Sequence, residues 1–404
     1  MVYKISKHDR QIKGHIYLRG SKSISNRVLI MEALMDNTIE KRNLSDSNDT
    51  AVMSYLLNAS TVTLDAHDAG TVFRFMTAYL AFREGSHILT GSERMKQRPV
   101  GDLVDPLREL GARIEYLGKQ QYPPLKITGG SLRGGKIKVH SGISSQFASA
   151  LLMIAPCMEQ GLTLELTGEV VSEPYIEMTL ALMQHFDVRH ERNGQVIHVP
   201  AQRYKPRNIF IESDWSAASY YYEMAAFSTE TDLTLSGLLQ QSFQGDAKIA
   251  ALMERFGIQT TYTEQEIKLS KSEQTGTFDF FLNDQPDLAP ALLTTCGGLS
   301  QTARFTGLSH LQYKESDRAA ALQQELAKCG IALQKNGDTI TTGGKFLPGH
   351  YTFSTYADHR MAMSFAPLAM LCGHVYIDDP MVVKKSYPGY WDDLQLLGFN
   401  INEL

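Results

Sequence analysis

Cations recur beside small or polar residues at the openings of apolar runs in this sequence. Lys22 precedes Ser23, with Arg27 one helical turn on. Gly70 and Thr71 precede Arg74, and Ser144, Ser145 and Gln146 open a third run. Asp358 is followed by His359 and Arg360. Arg98 in GSERMKQRP, Lys314, Glu315 and Arg318 in KESDR, and Lys385 in KKSYP add further charged positions. The first turn of a helix exposes unpaired amides and a partial positive charge, so such starts favour phosphate or carboxylate. Several of them pointing at one place would bind anions strongly without a basic chain.

Each piece alone has a plainer reading. Lys22-Ser23 fits a helix cap beside a solvated lysine, Ser144-Ser145 fits a cap, and Arg98 fits a loop charge. HLQYKESDR packs four charged residues and a histidine into a helix start, which is the usual pattern of a solvated face. Gly70-Thr71 lacks the GKS or GKT of a P-loop, and no GxGxxG occurs.

The elements that must position these residues follow two series. One is of helices apolar on nearly every face: SISNRVLIMEALM, GTVFRFMTAYLAF, SSQFASALLMIAPCM, DWSAASYYYEMAAF, DLAPALLTTCGG and DHRMAMSFAPLAML. A helix apolar all round is buried. Their starts near Ser23, Thr71, Ser145, Asp214, Asp287 and Asp358 are spaced by 48, 74, 69, 73 and 71 residues. The other series is amphipathic and followed by a strand, as in GDLVDPLRELGARIEYL, where Asp102 suits the cap and Gly111 the left-handed end. Its stop residues Asn58, Gly111, Asp187, Gly257, Gly330 and Gly398 are spaced by 53, 76, 70, 73 and 68. Both series repeat near 70 residues, so six units fill the chain, each with one buried helix, one surface helix and short strands.

The bulk figures set the frame. A chain of 404 residues exceeds one ordinary core, so two domains are expected. Hydrophobic residues at 43% and charged residues at 21% place it among soluble globular proteins. The net charge, 39 − 44 = −5, argues against a general nucleic-acid binder. The opening MVYKISKHDRQIKG carries charges where a signal peptide needs an apolar core, and the apolar stretches near 148–158 and 361–372 are too short to cross a bilayer. A cytoplasmic location is the expectation. Cys157, Cys296, Cys329 and Cys372 form no CxxC pair, which argues against disulfides and a zinc site.

Taken together, GSKSISNR, DAGTVFR, LTGSERMKQRP, SSQF, SEPYIE, PDLAP, KESDR, YADHRMAM and KKSYP, in this order, resemble the 3-phosphoshikimate 1-carboxyvinyltransferase (5-enolpyruvylshikimate-3-phosphate synthase) family. The likeness runs from about residue 19 to about 390. It implies an α/β fold, α+β in some schemes. Two inside-out domains, each of three βαβαββ units, would carry the active site in the cleft between them. The implied boundaries give a discontinuous domain, 1–20 and 213–404, with most phosphoenolpyruvate-side residues. An inserted domain, 21–212, would carry most 3-phosphoshikimate-side residues.

The activity implied is transfer of the enolpyruvyl group of phosphoenolpyruvate to the 5-hydroxyl of 3-phosphoshikimate, with release of phosphate, in aromatic amino-acid biosynthesis. By similarity, 3-phosphoshikimate meets Lys22, Ser23, Arg27, Ser144, Ser145, Gln146, Ser172, Tyr175, Asp287 and Lys314. Phosphoenolpyruvate meets Lys22, Gly70, Arg98, Gln146, Arg318, Arg360 and Lys385. Asp287, Glu315 and Lys22 are the implied acid–base groups. The family needs no metal or cofactor and is usually monomeric, and neither a nucleic acid nor a membrane is an expected partner.

Three positions depart from the family pattern. Asp68 stands where asparagine is frequent, adding a negative charge beside Gly70; Phe75 replaces a common proline; His310 replaces a common asparagine. Two rivals remain. The related transferase acting on UDP-N-acetylglucosamine typically has a lysine–asparagine pair and a reactive loop cysteine, whereas this chain has Lys22-Ser23 and SERMKQR. A non-catalytic anion-binding relative would have lost the acid–base residues, which are retained here.

Overall fold

The computed structural model describes residues 1–404 except Asp36, Ser141, Ile143 and Ser144, together with the side chain of Tyr313. Among the described residues, helices of two kinds alternate along the chain. They are α1 (Lys22–Met35), α2 (Asn48–Asn58), α3 (Gly70–Phe82), α4 (Gly101–Glu109), α5 (Ser145–Ile154), α6 (Pro174–His185), α7 (Trp215–Phe227), α8 (Ile249–Met253), α9 (Ala289–Gly298), α10 (Arg318–Ala327), α11 (His359–Phe365) and α12 (Tyr390–Leu396).

The odd-numbered helices are the interior ones. α9 and α11 are buried at every position, and α7 at all but Ser216. No side of such a helix can face water without exposing apolar surface. The even-numbered helices show the 3.6-residue period instead. In α10, Ala321, Leu322, Glu325 and Leu326 are buried while Gln323, Gln324 and Ala327 are exposed.

Among the described residues, five four-stranded sheets share one pattern: a parallel pair, then two antiparallel neighbours. Four of the parallel pairs flank an interior helix. Thr63–Asp65 and Gly85–Thr90 flank α3, Gly135–His140 and Leu162–Thr167 flank α5, Asp279–Phe281 and Ala303–Thr306 flank α9, and His350–Phe353 and His374–Asp378 flank α11. In the fifth, Gln11–Tyr17 pairs with Glu230–Ser236, which follows α7. A shorter parallel pair joins Lys41–Arg42 to Ile209–Phe210.

The chain divides into two compact units. One comprises Met1–Ser21 with Glu212–Leu404, the other Lys22–Ile211, and each has its own apolar core. Where the chain leaves and re-enters the first unit, Ser21 N donates to Glu212 O at 2.8 Å, and Gly20 bridges Ser213.

One local expectation changes. Asp102 lies inside the first turn of α4, whose cap is Val100, because the helix already begins at Gly101. Asn58, by contrast, is the last residue of α2 as expected, with Ala59 in extended backbone after it. Asp187 and Gly257 do adopt left-handed backbone, with φ of 64° and 70°. No helix of the described residues is long and apolar enough to cross a membrane.

Candidate active site

In the unit Lys22–Ile211 the starts of α1, α3, α5 and α6 share a network built on two arginines. Arg27, on the second turn of α1, is 1% exposed. Its Nε donates to Thr179 Oγ1 at 2.7 Å, its Nη2 to Ser149 Oγ and to the Tyr175 carbonyl at 3.1 Å each, and its Nη1 to the Ser23 carbonyl at 2.9 Å. The rings of Phe75 and Tyr175 lie 5.2 and 6.0 Å from the guanidinium. All of these hydrogen-bond acceptors are neutral. Burial lowers the guanidinium pKa to about 10 without discharging it. A full positive charge is therefore held rigidly with no carboxylate of this network opposite it, which suits capture of an anion.

Arg74 Nη1 donates to Gln146 Oε1 at 2.6 Å, and Gln146 Nε2 donates to Thr71 Oγ1 at 2.9 Å. The Gln146 amide thereby joins α5 to the first turn of α3. Gly70 opens that turn, and a Cβ there would stand 2.4 Å from Arg98 Nη1 and 2.9 Å from Arg74 Nη1. Only glycine lets both guanidinium groups approach the helix start. Lys22 Nζ lies 3.2 Å from Asp49 Oδ2, so the two adjacent helix starts of α1 and α2 meet through an ion pair. Ser145 is the buried first residue of α5, and Ser172 is buried with φ of 56°. A non-glycine residue held there marks a site where the surroundings impose the backbone. Ser144 lies outside the described residues.

In the other unit the centre is Arg318, the first residue of α10 and 1% exposed. Its Nη1 donates to Asp287 Oδ1 at 2.9 Å, its Nη2 to Glu315 Oε2 at 2.9 Å, and its Nε to Asp358 Oδ2 at 2.8 Å. Arg360 Nη2 reaches the other oxygen of Asp287 at 2.7 Å. Lys314 Nζ stands 3.6 Å from Asp287 Oδ1, and Lys385 Nζ stands 4.0 Å from Glu315 Oε1. Asp358 also caps α11 through Arg360 N at 3.0 Å and accepts from Ser316 Oγ at 3.1 Å.

Burial works against the ionised form of Asp287, but Arg360, Lys314 and Arg318 prevail and hold its carboxyl well below the usual range. Burial lowers Lys314, against the pull of Asp287. Arg318 is buried too, yet Asp358, Glu315 and Asp287 together raise its pKa and keep it charged. Burial, with Lys314 second, pushes His310 down to about 4, so its imidazole is neutral at pH 7.

The expected residues thus divide between the two units. Lys22, Ser23, Arg27, Gly70, Arg98, Ser145, Gln146, Ser172 and Tyr175 belong to one; Asp287, Lys314, Glu315, Arg318, Arg360 and Lys385 belong to the other. HLQYKESDR is not a solvated face: His310 is 3% exposed, Ser316 8% and Arg318 1%. The charge at Asp68 is engaged, since the Ser92 hydroxyl donates to it. Phe75 serves as a platform for Arg27. Asp49 as the partner of Lys22 and Asp358 as the partner of Arg318 did not stand out in the sequence. Only Asp358 carried a usable signal, as the cap of a wholly apolar helix.

Comparison with known proteins gives the family. The family model "EPSP synthase (3-phosphoshikimate 1-carboxyvinyltransferase)" matches residues 54–394. A 3-phosphoshikimate 1-carboxyvinyltransferase of Bacteroides fragilis is 47% identical over 399 residues, covering 97% of each chain. One of Vibrio cholerae is 35% identical over 412 residues, covering 94% of this chain and 96% of that one. The solved EPSP synthase of Acinetobacter baumannii superposes with a TM-score of 0.80 at 21% identity, over the full length of both chains, and so shares the two-domain α/β fold. The chain belongs to the EPSP synthase (3-phosphoshikimate 1-carboxyvinyltransferase) family.

Proposed function

We propose that this chain transfers the enolpyruvyl group of phosphoenolpyruvate to the 5-hydroxyl of 3-phosphoshikimate and releases phosphate. The observation that carries this reading is the Asp287–Arg318–Glu315–Arg360–Lys314 cluster, in which Asp287 is kept ionised by its cations and Glu315 pairs with Arg318. The substrates carry four anionic groups, two phosphates and two carboxylates. Lys22, Arg27 and Arg98 lie in one unit, and Lys314, Arg318, Arg360 and Lys385 in the other.

In the addition step the 5-hydroxyl loses its proton as its oxygen bonds to C2, and C3 gains a proton. In the elimination step C3 gives a proton back, the C2–O bond to phosphate breaks, and phosphate leaves. Asp287 is the group for the hydroxyl proton. Held by Arg360, Lys314 and Arg318, it is a weak base in the free protein. Substrate anions that draw those cations to themselves remove part of that hold and raise its basicity. Glu315, fixed by Arg318 Nη2, works at C3, and Lys22 serves the remaining proton transfer. Ser23, Gln146, Ser145, Ser172 and Tyr175 position 3-phosphoshikimate around Arg27, while Gly70 and Arg98 receive phosphoenolpyruvate.

A phosphate-release assay tests the reading. Turnover is expected with phosphoenolpyruvate and 3-phosphoshikimate and not with UDP-N-acetylglucosamine as acceptor. Release only with the nucleotide sugar would favour the sister transferase, and release with neither would favour a binder.

A further inference from the structure

The loop that leads into α11 is held in a backbone conformation that its own residues disfavour. Tyr356 and Ala357 both adopt left-handed backbone, with φ of 55° and 54°. Neither is glycine, and for an L-residue with a Cβ that region is crowded. Two such residues in succession persist only where the surroundings impose them. Directly after them come Asp358, whose carboxylate pairs with Arg318 at 2.8 Å, and Arg360, which grips Asp287 at 2.7 Å.

A carboxylate outside the steps above holds this loop. Glu325, on α10, is 1% exposed. Its Oε1 accepts from the Tyr356 hydroxyl at 2.8 Å, and its Oε2 accepts from Ser354 N at 2.9 Å. Lys328 Nζ donates to the same Oε2 and to Thr352 O at 2.9 Å. Between these contacts, Thr355 N donates to Asp378 Oδ1 at 2.6 Å, and Thr355 O accepts from Asp358 N at 2.9 Å. Tyr356 is 37% exposed, so packing holds its ring only in part and the hydroxyl supplies an anchor. Burial, then the hydrogen bond to Glu325, pushes that hydroxyl up to about 12, so it remains a donor at neutral pH.

α10 secures the loop on both sides of the left-handed pair. Arg318, its first residue, holds Asp358; Glu325, seven residues on, holds Ser354 and Tyr356. Residues seven apart lie on one helix face, so the two grips come from one rigid element. With the Glu325 grip released, Tyr356 and Ala357 would relax towards ordinary backbone, and Arg360, three residues after Ala357, would lose its aim.

We propose that Glu325 and Tyr356 are positioning residues for Arg360, acting through the left-handed pair Tyr356–Ala357. The proposal rests on the reading in which Arg360 receives an anionic group of phosphoenolpyruvate. A hydrogen bond that merely stiffened the loop would cost stability without favouring one substrate over the other.

The test is steady-state kinetics of the parent, Tyr356→Phe, Glu325→Gln and the double variant Tyr356→Phe with Ala357→Gly, the KM of each substrate being read at saturation of the other. Tyr356→Phe removes one hydroxyl from a partly exposed ring and leaves Glu325 its other two donors. It should raise the KM for phosphoenolpyruvate about tenfold, the effect of one hydrogen bond to a carboxylate, and leave kcat and the KM for 3-phosphoshikimate within about twofold. Glu325→Gln should move the same constant in the same direction; if it does not fold, Tyr356→Phe decides. Ala357→Gly supplies a residue that adopts left-handed backbone without strain, so the double variant should return to within about threefold of the parent. An unchanged KM for phosphoenolpyruvate in Tyr356→Phe, equal rises for both substrates, or no recovery in the double variant would overturn the proposal while parent turnover leaves the enolpyruvyl-transfer reading intact. Absence of turnover in the parent would overturn both.

Discussion

At the scale of single residues, the chemistry depends on charges held where water would otherwise screen them. Arg27 is fixed by neutral oxygens and aromatic faces, whereas Arg318 is fixed by three carboxylates. The first arrangement gives the guanidinium neutral partners; the second gathers three carboxylates around one cation. Gly70 gives a direct check. Its missing Cβ is the space that Arg98 fills, so Gly70→Ala should displace that guanidinium and raise the KM for phosphoenolpyruvate about tenfold, the cost of roughly one charge-assisted hydrogen bond. The KM for 3-phosphoshikimate should move much less, and an equal rise in both would contradict a local effect. The local motifs announced these residues by type. Their partners were not legible, because Arg318 finds Asp287 across 31 positions and Asp358 across 40. That separation is why KESDR looks solvated in sequence and is buried in the fold.

At the scale of elements, the interior helices were readable because their apolar residues follow no face, and a helix of that kind has one place to go. The strands were harder. Many are three to six residues long, such as Thr63–Asp65 and Asp279–Phe281, too short for alternation to declare itself. Apolar patterning also concealed a polar feature inside α7. Glu223 is fully buried, and neither carboxyl oxygen accepts a hydrogen bond. Burial alone pushes its pKa well above the usual 4.5. With the folded value above the unfolded one, its contribution to stability is intact below about pH 4.5 and is lost as pH rises toward the folded value. Each pH unit in that window costs about 1.4 kcal/mol. Glu223→Gln keeps the shape of the neutral acid and removes this loss. Thermal denaturation between about pH 5 and 9 should show the Tm of the variant pulling ahead of the parent as pH rises. A gap independent of pH would contradict a buried, protonated Glu223.

At the scale of the whole molecule, the near-70-residue repeat appears as a sheet pattern used five times and a parallel two-strand remnant where the inserted unit begins and ends. Each unit encloses its own core, and the segment 22–211 has its two ends tied by the pairing of Lys41–Arg42 with Ile209–Phe210. A polypeptide of residues 22–211 should therefore fold alone, with a cooperative melt by circular dichroism. A featureless, non-cooperative transition would show that its core needs the other unit.

In the proposed reaction addition is followed by elimination, and Glu315 handles the proton at C3. The most direct measurement is turnover in deuterated water with mass analysis of the product. The parent should place deuterium in the vinyl methylene of the product, because C3 passes through a methyl group. Glu315→Gln should slow both this incorporation and phosphate release by about 10²-fold or more. Product formed without deuterium, or full incorporation by the Gln variant, would contradict the account.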